Sequence, residues 1–243
     1  MRTLFQVMRL WLSAASASLS SQAAPAQSDS FELPTDLIIG HIMRNETEIC
    51  TGFLVEPNLA LTAAHCLFSK KSNKILPPEE LTFRSAQNDR APANERRIIR
   101  TVLPTRYEYV ARDFINQLRN DVALLKLQPD PRIVNWTPLP VASEGLKGEP
   151  IGLIAISDSK AQTAEIQEFC DLKSHAGGLL ILLCDVRSGF SGAPLVSFRH
   201  QQTFIIALVT GKAVLNGENV AIGAALHETL NVLKTKLAGH VEP

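Results

Sequence analysis

No apolar run in this chain approaches the ~18–20 consecutive residues that cross a bilayer as a helix. Neither sign of charge prevails. Lys+Arg and Asp+Glu number 24 each, so net charge gives no footprint of nucleic-acid binding or of attraction to acidic membranes. There is no Cys-x-x-Cys and no close Cys/His cluster apart from His65-Cys66, which makes a zinc site a poor reading of the cysteines. No dense carboxylate loop suited to calcium is visible, and no metal or organic cofactor is implied. No internal repeat is legible. What the chain does have is a globular balance: 243 residues, 45% hydrophobic and 20% charged, enough for one large all-β domain or two small ones.

The first 30 residues read differently from the rest. Arg2 and Arg9 precede Leu10-Trp11-Leu12, and a Ser/Ala-rich tract follows to Ala26. A basic start, a modest apolar stretch and small residues suited to cleavage are the order of a secretory signal. Residues 1–30 are therefore expected to be a signal and flexible segment outside the fold, and the protein to be secreted or periplasmic. Four cysteines fit export and permit three pairings. Sequential pairing, Cys50–Cys66 and Cys170–Cys184, is the simplest, because each pair flanks a hairpin-like segment.

Short runs rich in Ile, Val, Leu and Thr recur between Gly, Pro, Asn and Asp. They cover 36–43, 50–55, 59–62, 81–84, 97–103 and 122–127, then, past a Pro-rich stretch, 151–156, 162–169, 179–184, 193–198, 204–210 and 219–222. This spacing predicts an all-β sandwich or barrels rather than βαβ units. One segment breaks the pattern. Leu226, Leu230, Leu233 and Leu237 recur at helical intervals, predicting an amphipathic helix over 225–238 with Gly239 as its stop. A short helix or loop is expected over 111–120.

Three segments carry chemistry. Thr62-Ala63-Ala64-His65-Cys66 follows a strand-like run; Asp121 opens Asp121-Val122-Ala123-Leu124-Leu125-Lys126-Leu127; and Ser191 sits in Gly189-Phe190-Ser191-Gly192-Ala193-Pro194. A serine hydroxyl is a poor nucleophile unless a base takes its proton. Histidine suits that task, with an unperturbed pKa near ~6.5, and a buried carboxylate fixes its tautomer. Each segment alone has a bland alternative: a surface His in a turn, an Asp at a strand edge, a Gly/Ser turn.

Together, and in the order His, Asp, Ser, they resemble the trypsin/chymotrypsin-like serine endopeptidases, in particular bacterial secreted members. Other triad folds use other chain orders. The resemblance implies two packed six-stranded antiparallel β-barrels with a C-terminal helix. The barrels would occupy about 31–130 and 145–224, and the helix about 225–239. It implies His65 as general base, Asp121 as its orienting partner and Ser191 as nucleophile, with the N–H groups of Gly189 and Ser191 forming the oxyanion hole. Cys50-Thr51-Gly52-Phe53-Leu54-Val55 resembles the family strand whose cysteine bridges to the one after the catalytic His. Ala207-Leu208-Val209-Thr210-Gly211 resembles the strand that pairs with substrate backbone, with the Thr210 hydroxyl placed to contact Asp121. A polypeptide substrate follows.

The chain also departs from trypsin. Phe190 stands where trypsin carries an aspartate that pairs with a newly cut N-terminus, which implies that this activation switch is not used. Asp185 falls where trypsin carries the acid that binds Arg or Lys, yet Cys-Asp at this spacing also resembles bacterial relatives with other preferences. Asp185, Thr210, Gly211 and Lys212 are the substrate-binding candidates, with Lys212 placed to neutralise Asp185 or to attract acidic side chains. A catalytically silent homologue that binds a protein partner is the alternative.

Overall fold

The computed structural model of the protein describes residues 36–86, 94–133, 136–142, 148–156, 164–199 and 202–239. The expected signal segment, residues 1–30, lies outside the described residues. Six strands form a first closed barrel: β1 (Ile39–Arg44), β2 (Thr47–Glu56), β3 (Leu59–Thr62), β4 (Leu81–Ser85), β5 (Asn94–Val102) and β6 (Ala123–Leu127), in the order β1-β2-β3-β6-β5-β4. A second closed barrel follows from β7 (Ile151–Ala155), β8 (Glu165–Ala176), β9 (Leu179–Leu183), β10 (Pro194–Arg199), β11 (Gln202–Leu215) and β12 (Glu218–Ala225). Its order is β10-β11-β12-β9-β8-β7, the first barrel's arrangement repeated six strands later. All pairings between these strands are antiparallel.

The local chemistry explains the hairpins. Asn45-Glu46, Gly177-Gly178 and Asn216-Gly217 each hold positive φ at both residues, the backbone that matches strand twist in a two-residue turn. Closure removes the free sheet edges that would otherwise invite pairing with other chains. In the first barrel, Phe53, Leu61, Phe83, Ile98 and Leu124 are fully buried in one apolar cluster. Leu153, Leu180, Leu182, Leu195 and Val209 fill the second. Both cysteine bridges are present, Cys50–Cys66 and Cys170–Cys184.

Two helices complete the chain. Helix α1 (Phe114–Arg119) begins where the Asp113 carboxylate accepts the Asn116 N–H at 3.0 Å. It ends one residue before the Asn120-Asp121 step into β6. Helix α2 (His227–Ala238) follows β12 but packs on β5 and β6 of the first barrel, burying Leu230 and Leu233.

Candidate active site

Strand β3 is buried at every residue. It delivers the chain through Ala63 into a tight 3-10 turn, Ala64–Leu67, in which His65 alone is not buried. The Cys50–Cys66 bridge ties this turn to β2. On the neighbouring strand, Asp121 sits just before β6 with only 2% of its surface exposed. Its carboxylate grips His65 twice. Asp121 Oδ1 accepts the His65 backbone N–H at 2.7 Å, and Oδ2 lies 2.6 Å from the ring Nδ1. A carboxylate only accepts, so Nδ1 carries the proton and Nε2 is left with its lone pair. The imidazole is thus oriented and held in the tautomer a base requires.

Tyr107 packs against Phe68, and Phe68 stacks on Tyr109 with centroids 4.6 Å apart. Burial pushes the Tyr107 phenol well above its usual range, and the Asp121 charge adds to the shift. Tyr107 therefore stays neutral beside the carboxylate.

The second barrel brings Ser191. The turn before β10 is fixed to the first barrel through Thr51, itself 1% exposed. The Thr51 N–H donates to the Ser191 carbonyl at 2.9 Å and its hydroxyl donates to the Gly189 carbonyl at 2.8 Å. Gly192 has φ +84°, and a Cβ there would lie 2.2 Å from the Thr51 carbonyl oxygen, so no other residue fits. Gly189 has φ +94° and open space where a Cβ would be, so its glycine answers a backbone need rather than a steric one. The carbonyls of this turn are held inward by Thr51. Among the described residues, the N–H groups of Gly189 and Ser191 donate to no acceptor. Phe190 is 5% exposed and belongs to the apolar cluster of the second barrel.

His65 and Ser191 line one cleft of about 630 Å³, walled by residues of both barrels. Residues 50–204 match the family model described as a trypsin-like peptidase domain, well over half of the chain. The protein belongs to the trypsin-like peptidase family. Two closed six-stranded barrels with a C-terminal helix are the architecture the sequence resemblance to this family implies.

The trypsin-like frame does not gather every expected residue. Gly211 and Lys212 line the cleft, and the Lys212 ammonium donates to the Val186 carbonyl at 3.1 Å. Asp185 is exposed and is not part of the lining. Its N–H donates to Glu168 Oε2 at 2.7 Å, and its carboxylate faces the Asn219 amide at 3.5 Å. It forms no ion pair with Lys212 among the described residues. Thr210 is buried, and its hydroxyl donates to the Ile222 carbonyl at 3.3 Å rather than to Asp121. The cause is a register shift between Val209 and Gly211, where β11 carries one residue more than β12. Such a bulge re-aims the side chain of the extra residue. Cys50, His65 and Cys66 cluster closely enough to suggest metal ligands. The two sulfurs are bonded to each other, however, so no thiolate is available.

Sequence reasoning missed Thr51 and Tyr107. Thr51 lay in plain view beside Cys50, but nothing in sequence says that a buried threonine spans two barrels.

Proposed function

We propose that the protein is an exported serine endopeptidase. Ser191 Oγ attacks the peptide carbonyl carbon while His65 Nε2 takes its proton. The tetrahedral oxyanion is received by the N–H groups of Gly189 and Ser191, donors of a kind worth roughly 3–4 kcal/mol each at the transition state. His65 then protonates the leaving amine as the C–N bond breaks, giving an acyl-enzyme on Ser191. A water, deprotonated by the same imidazole, releases the acyl group and restores the hydroxyl. Asp121 holds the ring and stabilises the imidazolium throughout.

The observation that carries this reading is the double hydrogen bond from His65 to a buried Asp121, on a cleft that Ser191 shares. Export is supported by the two disulfides, which persist in oxidising compartments.

The test is fluorophosphonate labelling of the oxidised protein, located by mass spectrometry, with Ser191→Ala as control. A label on Ser191 that is absent from the variant is expected. Well-folded protein that takes no label would replace this reading with that of a silent, partner-binding homologue.

A further inference from the structure

The cleft carries an excess of positive charge that the chain as a whole lacks. Arg44, Lys70, Lys71, Arg187 and Lys212 line it, and Glu48 is the one carboxylate among the lining residues described. Some of this charge is already matched. Arg44 donates to Glu80 Oε2 from Nε at 3.0 Å and from Nη2 at 2.7 Å, and Glu48 lies 3.7 Å from the His41 ring. Lys212 is held by a neutral carbonyl, which leaves its charge uncompensated. Lys70, Lys71 and Arg187 are exposed and form no ion pair among the described residues.

The two lysines are not on a loose tail. The Ser69 N–H donates to the Lys74 carbonyl at 2.9 Å and the Asn73 N–H to the Ser69 carbonyl at 2.8 Å. Phe68 and Ile75 close the turn as a bridge, and Asn73 supplies its left-handed residue at φ 54°. This tight turn continues directly from the His65–Cys66 segment and presents Lys70 and Lys71 to the cleft.

We propose that the cleft selects polypeptide segments carrying Asp or Glu on the leaving-group side of the scissile bond, with Lys70 and Lys71 recognising those carboxylates. The proposal rests on the endopeptidase reading above. In that reading the acyl side of the substrate pairs with the β11 edge at Gly211–Lys212. The chain then passes Ser191 and continues along the opposite wall, where the Cys50–Cys66 bridge and the Phe68–Ile75 turn lie. Arg187 and Lys212 extend the positive field across the cleft. A single exposed ion pair changes affinity by up to about fivefold. A narrow, low-dielectric cleft lined by one sign of charge concentrates the field further, so two lysines acting together give a preference on the order of tenfold.

The experiment separates binding from catalysis. Fluorescent peptides with one common acyl half, and Glu, Gln or Lys in the two positions after the scissile bond, are titrated into oxidised Ser191→Ala protein by anisotropy at 50 mM and 500 mM salt. The Glu peptide is expected to bind about tenfold more tightly than the Gln peptide, and the Lys peptide most weakly. This order should compress at high salt, where screening shortens the reach of each charge. Adding Lys70→Gln/Lys71→Gln in the same background should bring the Glu and Gln peptides within about twofold of each other. Equal affinities for all three peptides, no binding of the Glu peptide, or a preference indifferent to the lysine substitutions would overturn the proposal. Labelling of Ser191 in the parent protein is scored separately. A labelled enzyme without charge preference sinks this inference alone, whereas charge-selective binding by an unlabelled protein sinks the endopeptidase reading and leaves an acidic-peptide site.

Discussion

Thr51 touches three parts of the candidate site at once. Its N–H holds the Ser191 carbonyl, its hydroxyl holds the Gly189 carbonyl, and its own carbonyl accepts the Thr62 hydroxyl at 2.6 Å, next to the turn that carries His65. Thr51→Val keeps the shape and removes one donor. The Gly189 carbonyl then loses its partner, but Gly189 is exposed and water can replace the bond, so the stability loss should stay near ~1 kcal/mol. Activity should suffer more. Releasing the Gly189 carbonyl frees the Gly189 backbone torsions that aim its own N–H, which lies in the preceding peptide, and removing an oxyanion donor outright costs roughly a hundredfold or more. A partial misdirection should cost about tenfold in kcat with KM little changed. Urea unfolding paired with peptidase kinetics checks both numbers, and a variant with wild-type kcat would detach Thr51 from the oxyanion turn. Phe190 shows a second way of holding the same turn. Phe190 is 5% exposed and holds this turn through the apolar cluster of the second barrel.

The β1–β2–β4 ribbon carries a group whose charge the fold opposes. His41 on β1 lies 3.7 Å from Glu48 of β2 and is in register with Arg84 of β4. Burial lowers its pKa below the ordinary 6.5. Glu48 opposes that shift without reversing it, and Arg84 adds to it. The unfolded chain therefore binds the proton first as pH falls, so stability is full above about pH 6.5 and declines as pH drops from there through the folded-state pKa. Asp130 and Glu95 are also depressed, by hydrogen bonds from Arg132 and Thr82 respectively, and they act at lower pH, near and below the ordinary carboxylate range. His41→Gln should flatten the loss of stability between pH 7 and pH 5 and leave the acid limb below pH 4.5 unchanged. Urea midpoints across that range decide it, and parallel curves for the two proteins would remove His41 from the account. Elements of this kind are where sequence reading succeeds and fails most visibly. All twelve strands were legible, most of them because their buried residues are Ile, Val and Leu between turn residues. The ends were not. Strand β8 runs on to Ala176, well past the expected Phe169, because its outer half is an exposed polar ribbon with no apolar period to read. The expected start at Gln162 lies outside the described residues. The repeat of strand order between the barrels left no mark in the residues, since closing a barrel asks for alternation and turns rather than for particular side chains. His65, Asp121 and Ser191 were legible as motifs. The Thr210 bulge and the displacement of Asp185 from the cleft are matters of register that one sequence does not carry.

At the scale of the molecule, the site exists only while two barrels hold their relation, because His65 and Asp121 come from one and Ser191 from the other. One apolar cluster runs through both. It joins Phe53, Leu61 and Leu124 of the first barrel to Ile154, Val196 and Leu208 of the second, and to Leu226, Leu230 and Leu233 at the chain's end. Helix α2 acts as a strap: it is rooted in β12 and pressed against β5 and β6, with Lys234 paired to Glu56 at 2.6 Å and Lys236 donating to the Leu103 carbonyl at 2.9 Å. Leu233 is fully buried at that contact. Leu233→Ala should cost about 2–5 kcal/mol, a large share of the roughly 5–15 kcal/mol that holds a typical domain together, so a single substitution is the right dose. Where the loss appears is the informative part. If the strap sets the relation between barrels, the variant should lose peptidase activity at a lower urea concentration than it loses its far-UV circular dichroism, because the barrels keep their own closed sheets after the cleft has opened. In the parent protein the two curves should coincide. Coincident curves in the variant, merely shifted to lower urea, would mean that the helix stabilises the whole fold and that the alignment of His65 with Ser191 is secured elsewhere, with the Thr51 contacts the first place to look.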